Sequence, residues 1–292
     1  MCLLKNLLLR KSSYTTINKG WDIVVIFRNE LRQMRGLILF WSISIAVLIF
    51  LLMPVFTSIG SSLGSNSSEQ LEQMVSNNEF LRSVGMSAEF LSKPIGLYGF
   101  ITGWFFSLAC AILAMHVGLS VNTKDFTGRS ADFIYTKPFS RGKVYLSKLY
   151  AAAVAVFTVG VVYFFASFVS LKINIPDGFD FKIFFLLAFS LILLEAFYLA
   201  LGIFVGVLWP KNRKPLLLAV TVVFVTVVIG TFAATVGIEW LLYLAPPKYF
   251  GGSIIAAKGG YEMKFVLWLI FLIVAFLTSG YFIFQKKDLI TV

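Results

Sequence analysis

The chain has 292 residues, is 59% hydrophobic and only 13% charged, and has a mean hydropathy of +0.87. A soluble domain carries about 25% charged residues, so a chain this apolar cannot cover its surface in water and reads as a polytopic membrane protein. The formal charge of +11 does not indicate a nucleic-acid partner, because the bases gather at the ends of apolar runs and not on a domain of their own.

The first 19 residues are basic with only short apolar runs, so no cleavable signal peptide is expected and the first spanning helix would act as its own insertion signal. Cys2 and Cys110 are expected to be free thiols with no disulfide framework. Residues 20–36 put Trp21, Val24, Val25, Phe27, Leu31 and Met34 on one stripe and Arg28, Arg32 and Arg35 on the other side. That pattern predicts an amphipathic helix lying in the inner headgroup layer. The alternative is an ordinary basic flank of the first span.

Six charge-poor stretches reach the roughly 20 apolar residues that a spanning helix needs. Helices are expected at 37–59, 97–121, 147–171, 183–208, 215–237 and 265–284. They form a permease domain over 37–284, between a cytosolic N-terminal segment 1–36 and a cytosolic tail 285–292. With both termini inside, 18 of the Lys and Arg residues fall in cytosolic segments and 7 in outer ones. Positive charge accumulates in cytosolic loops, so the expectation is a multi-pass plasma-membrane protein, bacterial in character, with both ends in the cytoplasm.

Within the outer loop 60–97, Leu71, Met74, Val75, Leu81 and Val84 fall at helical spacing and suggest a short surface helix. Gly99 and Gly103, and again Gly202 and Gly206, sit four apart, a spacing that lets helix backbones approach closely in lipid. In the last outer segment, 238–264, Pro246 and Pro247 break any helix begun at Trp240. A broken hairpin dipping into the outer leaflet follows, packed on other helices or capping a cavity.

Catalytic signatures are missing from the sequence. The only Gly-Lys pair is Gly142-Lys143, followed by Val144, which is no phosphate-cradling loop. A single histidine cannot supply a usual zinc site, and there is no G-x-S-x-G nucleophile turn. Glu195 is the one acid inside an apolar run, where an ionised carboxylate costs about 2.5–3.5 kcal/mol and usually faces the bundle interior. It is read either as a contact on the translocation path or as a hydrogen-bonding partner for a neighbouring helix. His116, eight residues before Lys124, is a second candidate on the path, with packing as the blander role.

The segment 122–148 carries six bases between two spans. Asp125 or Thr127 can cap a short helix, Phe126, Phe133, Ile134 and Tyr135 offer apolar contacts, and Pro138 ends it. Ser140 can cap the next helix. A short helix with exposed aromatics beneath the bilayer suits a groove on another protein. A basic loop resting on anionic lipid is the alternative.

KDFTGRSADFIYTKPFSRGKVYLSK resembles the corresponding loop of ABC-2-type permeases, at Asp125, Gly128, Asp132, Phe133-Ile134, Thr136, Pro138, Ser140, Arg141 and Lys148. Arg129-Ser130 departs from the common small or Thr pair. EFLRSVGMSAEFLSKPIGLYGF and YLAPPKYF also resemble that family, and the likeness runs over roughly 20–290. The resemblance implies an all-α membrane subunit of an ATP-binding-cassette exporter, with an N-terminal amphipathic helix, a coupling helix between the second and third spans, and an outer re-entrant hairpin before the sixth. It implies a second permease subunit, identical or related, and separate ATPase subunits that bind ATP and Mg, leaving this chain without a cofactor. Asp125, Phe126, Arg129, Asp132, Phe133, Ile134 and Tyr135 are the expected coupling residues. The cargo could be a peptide, lipid, glycan, drug or ion. Two other readings stand beside it: a proton-coupled secondary transporter using Glu195 and His116, and an intramembrane enzyme, which the missing motifs disfavour.

Overall fold

The computed structural model describes residues 2–66, 77–78, 94–127, 140–176 and 178–286. Among them the chain is helical, with no strand. Helix α1 runs over Cys2–Asn66. Helix α2, Pro94–Ile101, passes through a π-helical turn, Thr102–Phe106, into α3, Ser107–Thr127. Then come α4 (Arg141–Asn174), α5 (Phe181–Leu208) and α6 (Pro215–Val236). The short α7 (Glu239–Leu242), a 3-10 turn (Pro246–Lys248) and α8 (Gly252–Lys258) lead to α9 (Met263–Lys286). Six helical stretches among the described residues are long and apolar enough to cross a bilayer: Val24–Val55, Tyr98–Lys124, Arg141–Asn174, Phe181–Leu208, Pro215–Val236 and Met263–Lys286. The expected number of spans is therefore present.

The centre of the bundle is the α3–α5 pair, the most extensively packed in the chain. Its closeness comes from glycine. A Cβ on Gly118 would stand 2.6 Å from the Leu199 carbonyl oxygen, and one on Gly202 would stand 2.6 Å from that of Met115. Gly206 faces Leu119 in the same way, at 3.1 Å. Small residues allow this backbone approach in lipid, where burial alone gives helices no reason to associate. Gly202 and Gly206 thus pack as their spacing suggested. Gly103 does not, since nothing lies within 4 Å of its Cβ position.

Helix α1 packs along α4. Ile45, Ile49 and Met53 are buried at helical spacing, while Leu39, Phe40, Ile43, Val47 and Leu51 are exposed on the face left for lipid. A separate surface helix over 20–36 is not what the structure contains. The helix is unbroken across Gly36. One glycine in a helix interior costs only about 1 kcal/mol, no proline precedes Pro54, and no loop residues intervene, so nothing ends the helix there. The arginine side of the pattern persists: Arg28, Arg32 and Arg35 are all exposed.

Local chemistry sets the other ends. Asp180 caps α5, its carboxylate accepting from the Lys182 and Ile183 amides at 2.8 and 3.3 Å. Gly237, at φ 78°, ends α6 in the left-handed region. Ser140 stands at the N-cap of α4, and its backbone oxygen accepts from the Lys143 and Val144 amides, but its side chain makes no capping bond. The helix begun at Glu239 stops at Leu242, and Pro246-Pro247 opens a 3-10 turn, so no helix from Trp240 runs through the two prolines. In this segment Ala245, Pro246, Tyr249, Phe250 and Ile255 are buried.

Candidate functional site

The end of the bundle that holds the last turn of α3, the first turns of α4 and the last turn of α9 is joined by polar contacts. On α3, the Lys124 ammonium pairs with the buried Glu30 carboxylate of α1 and donates to Gln33 Oε1 at 2.8 Å. Asn122 Nδ2 donates to the Ile203 carbonyl of α5 at 3.2 Å. On α4, the Lys148 Nζ, fully buried, donates to the Val121 carbonyl of α3 at 2.9 Å. Tyr145 Oη donates to the Leu277 carbonyl of α9 at 3.0 Å, and Arg141 reaches the Gln285 carbonyl at 3.4 Å. Gln285 lies in the last turn of α9, where carbonyls have no intrahelical partner and a basic side chain is favoured.

These contacts bracket the segment 128–139. Both of its stems are fastened, α3 to α1 and α5, and α4 to α3 and α9. Of the expected coupling residues, Asp125 and Phe126 continue α3. Arg129, Asp132, Phe133, Ile134 and Tyr135 lie outside the described residues, as does the body of the expected coupling helix. The surface helix expected at 71–84 lies outside them too, apart from residues 77–78. Glu30, Gln33, Asn122 and Tyr145 are members of this end that the sequence pattern does not single out.

At the opposite end a cleft of about 780 Å³ opens between the π turn, the end of α6 and the broken segment before α9. Gly103, Trp104, Val227, Glu239, Lys248 and Phe265 are among its lining residues. The Lys248 ammonium stands 5.4 Å from the centre of the Trp104 ring, a cation–π distance. Burial lowers the Lys248 pKa to about 8. Glu262, by contrast, is held below the usual carboxylate range by its hydrogen bond from Lys258, with Lys264 also near. Burial raises the Tyr261 hydroxyl, which donates to the Leu186 carbonyl at 2.5 Å.

Glu195 and His116 are not among the residues lining this cleft. Glu195 is buried between α3, α4 and α5. The Cys110 thiol faces it, and a Cβ on Gly160 would come within 2.8 Å of its Oε2. No hydrogen bond of normal geometry reaches either carboxylate oxygen among the described residues. His116 is half-buried on α3, about 9 Å along the helix from Cys110. No group of three or more His, Cys, Asp or Glu among the described residues is placed to hold a metal.

No curated protein matches the chain at a significant level. A family profile described as ABC-2 family transporter protein matches residues 24–289. That match takes in all six spans, both fastened stems and the broken segment. With the six apolar helices, it establishes that the chain belongs to the ABC-2 family of transporter proteins, as a multi-pass membrane permease of an ABC transporter.

Proposed function

We propose that this permease is the membrane half of an exporter, with both termini and the segment 128–139 in the cytosol. The excess of Lys and Arg on that side supports the orientation. The family associates with ABC ATPase subunits. In this reading they dock on a short coupling helix near Phe126–Tyr135, through Asp125, Phe126, Arg129, Asp132, Phe133, Ile134 and Tyr135. Two permease subunits pair, and two ATPase subunits close beneath them on ATP and Mg.

The observation that carries the proposal is the fastening of the stems. A push on the loop does work on the bundle only if its ends cannot slip. Lys124 with Glu30, and Lys148 with the Val121 carbonyl, convert a local push into movement of α1, α3 and α4 together. Tyr145 and Asn122 extend that to α9 and α5. Coupling of this sort travels through packed, contiguous elements.

Glu195 has a place in the same cycle. Among the described residues its carboxylate accepts no hydrogen bond of normal geometry, so a change of partner during the cycle would register there. His116 remains a second candidate on the path. Glu195→Gln should alter transport while leaving ATPase docking intact.

Docking is tested by replacing Phe133 and Ile134 with Asp and recovering the complex by affinity purification. Loss of the ATPase from a folded permease is the expected result. Unchanged recovery with unchanged transport would refute the assignment.

A further inference from the structure

The turn between α5 and α6 gathers charge that the transport reading does not use. One span ends at Leu208 and the next begins at Pro215, so only residues 209–214 lie outside them. Lys211, Arg213 and Lys214 crowd the second half of this turn, and all are exposed. None of them has a carboxylate partner among the described residues. Other bases are already engaged: Lys124 with Glu30, Lys148 with the Val121 carbonyl, Arg141 with the Gln285 carbonyl, and Lys258 and Lys264 with Glu262.

The turn is fixed in shape. The Trp209 amide donates to the Val205 carbonyl at 2.9 Å and closes α5, and the Asn212 amide donates to the Trp209 carbonyl at 3.3 Å. Asn212 Oδ1 accepts from the Lys214 amide at 2.9 Å, an Asx turn that leads into α6. Little backbone freedom is then lost when the bases meet a ligand. The level of the turn is fixed as well. Leu208 and Trp209 before the bases, and Leu216 and Leu217 after them, are all exposed, so apolar, lipid-facing surface reaches the turn along both helices. Tryptophan settles at the headgroup level. So short a link between two spans cannot carry its bases far beyond the phosphate layer. A groove on another protein takes a helix or an extended strand with apolar anchors, and this link projects neither.

We propose that this turn binds the headgroup phosphates of anionic phospholipid in the adjoining leaflet through Lys211, Arg213 and Lys214, with Trp209 seated beside them. Arginine meets a phosphate with a planar fork of donors, and lysine meets it as a point charge. Each base near an anionic surface adds about fivefold in affinity, so a cluster on one rigid turn separates an anionic lipid from a zwitterionic one. The turn is a different loop from 128–139, and its chemistry does not depend on which side of the bilayer it faces. Failure of the docking test would therefore leave it untouched.

The test uses the purified full chain in detergent, supplied with phosphatidylglycerol or with phosphatidylcholine and examined by native mass spectrometry. Wild type should retain phosphatidylglycerol in preference to phosphatidylcholine. Combining Lys211→Gln, Arg213→Gln and Lys214→Gln should lower phosphatidylglycerol retention at least about tenfold, and Arg213→Gln alone about fivefold. Combining Lys172→Gln, Lys182→Gln and Lys286→Gln takes the same charge from exposed positions at other helix ends and should change retention by less than about twofold. Circular dichroism confirms the helix content of each variant, and the single Arg213→Gln decides the matter if the combined variant does not fold. Equal loss from the two combined variants would mean attraction to net charge alone and would overturn the proposal. Equal retention of the two lipids by wild type would overturn it as well. So would unchanged retention in the turn variant, and loss of the ATPase from that variant would then assign the bases to a protein partner.

Discussion

The Lys148 ammonium, fully buried, donates to the backbone oxygen of Val121 at 2.9 Å and so joins the first turns of α4 to the last turns of α3. A buried charge without a partner is costly, so this lysine is tied to the packing of the two helices that frame the 128–139 segment. Lys148→Met keeps the stem and removes the donor. It should lower stability by about 2 kcal/mol, seen as a reduced thermal midpoint in detergent. It should also reduce transport per ATP hydrolysed.

The Lys124–Glu30 pair predicts a charge-swap result. Lys124→Glu and Glu30→Lys should each loosen α1 from α3, and the double variant should recover part of the loss. The coupling expected from a double-mutant cycle is about 1 kcal/mol, measured by thermal unfolding, since Glu30 is buried and Lys124 is only partly so. An additive double variant would remove this pair from the fastening.

Glycine substitutions should separate contact from open space. At Gly202 a side chain meets the Met115 carbonyl of the facing backbone, which cannot rotate away. Gly202→Leu should cost about 3 kcal/mol and lower the yield of folded protein. Gly103→Ala, with nothing within 4 Å, should fold with wild-type yield. Size-exclusion profiles of the two variants check the contrast.

Lys248 makes a pH prediction. Its folded pKa is about 8 against an ordinary 10.5, so above pH 8 the unfolded chain holds more protons than the folded one. Stability should therefore rise from about pH 8 toward 10. Tyr249 acts the other way: burial raises its hydroxyl above 10.0, so its contribution falls once the unfolded tyrosine begins to ionise. The thermal midpoint should climb between about pH 8 and 10 in wild type, and Lys248→Met should flatten that climb.

Much of the architecture is legible in the sequence because lipid imposes simple requirements. A spanning helix must be long and apolar, and six such stretches can be read directly. Gly202 and Gly206 are legible for a related reason, since close approach in lipid calls for small residues. Gly103 has the same spacing signal as Gly202 but lines a cleft, with nothing within 4 Å of its Cβ position. The continuous α1 is hidden by its composition: a basic amphipathic pattern looks alike whether the helix lies on a surface or continues a span. The fastening is hidden by distance along the chain. Lys124 and Glu30 are 94 residues apart, and the likeness at Lys148 marks that residue without indicating its partner, the Val121 carbonyl. The cleft depends on how Pro246-Pro247 folds back beside the π turn, a tertiary outcome with no local signature beyond the two prolines.

A photo-crosslinking residue at Tyr135 asks whether the segment 128–139 meets the ATPase on the cytosolic side. In inverted membrane vesicles holding the assembled transporter, an adduct should form with the ATP-binding subunit and be lost when Phe133 and Ile134 are changed to Asp. Reaction of a cysteine at the same position with an impermeant reagent added to intact cells, and no adduct with the ATPase, would contradict it.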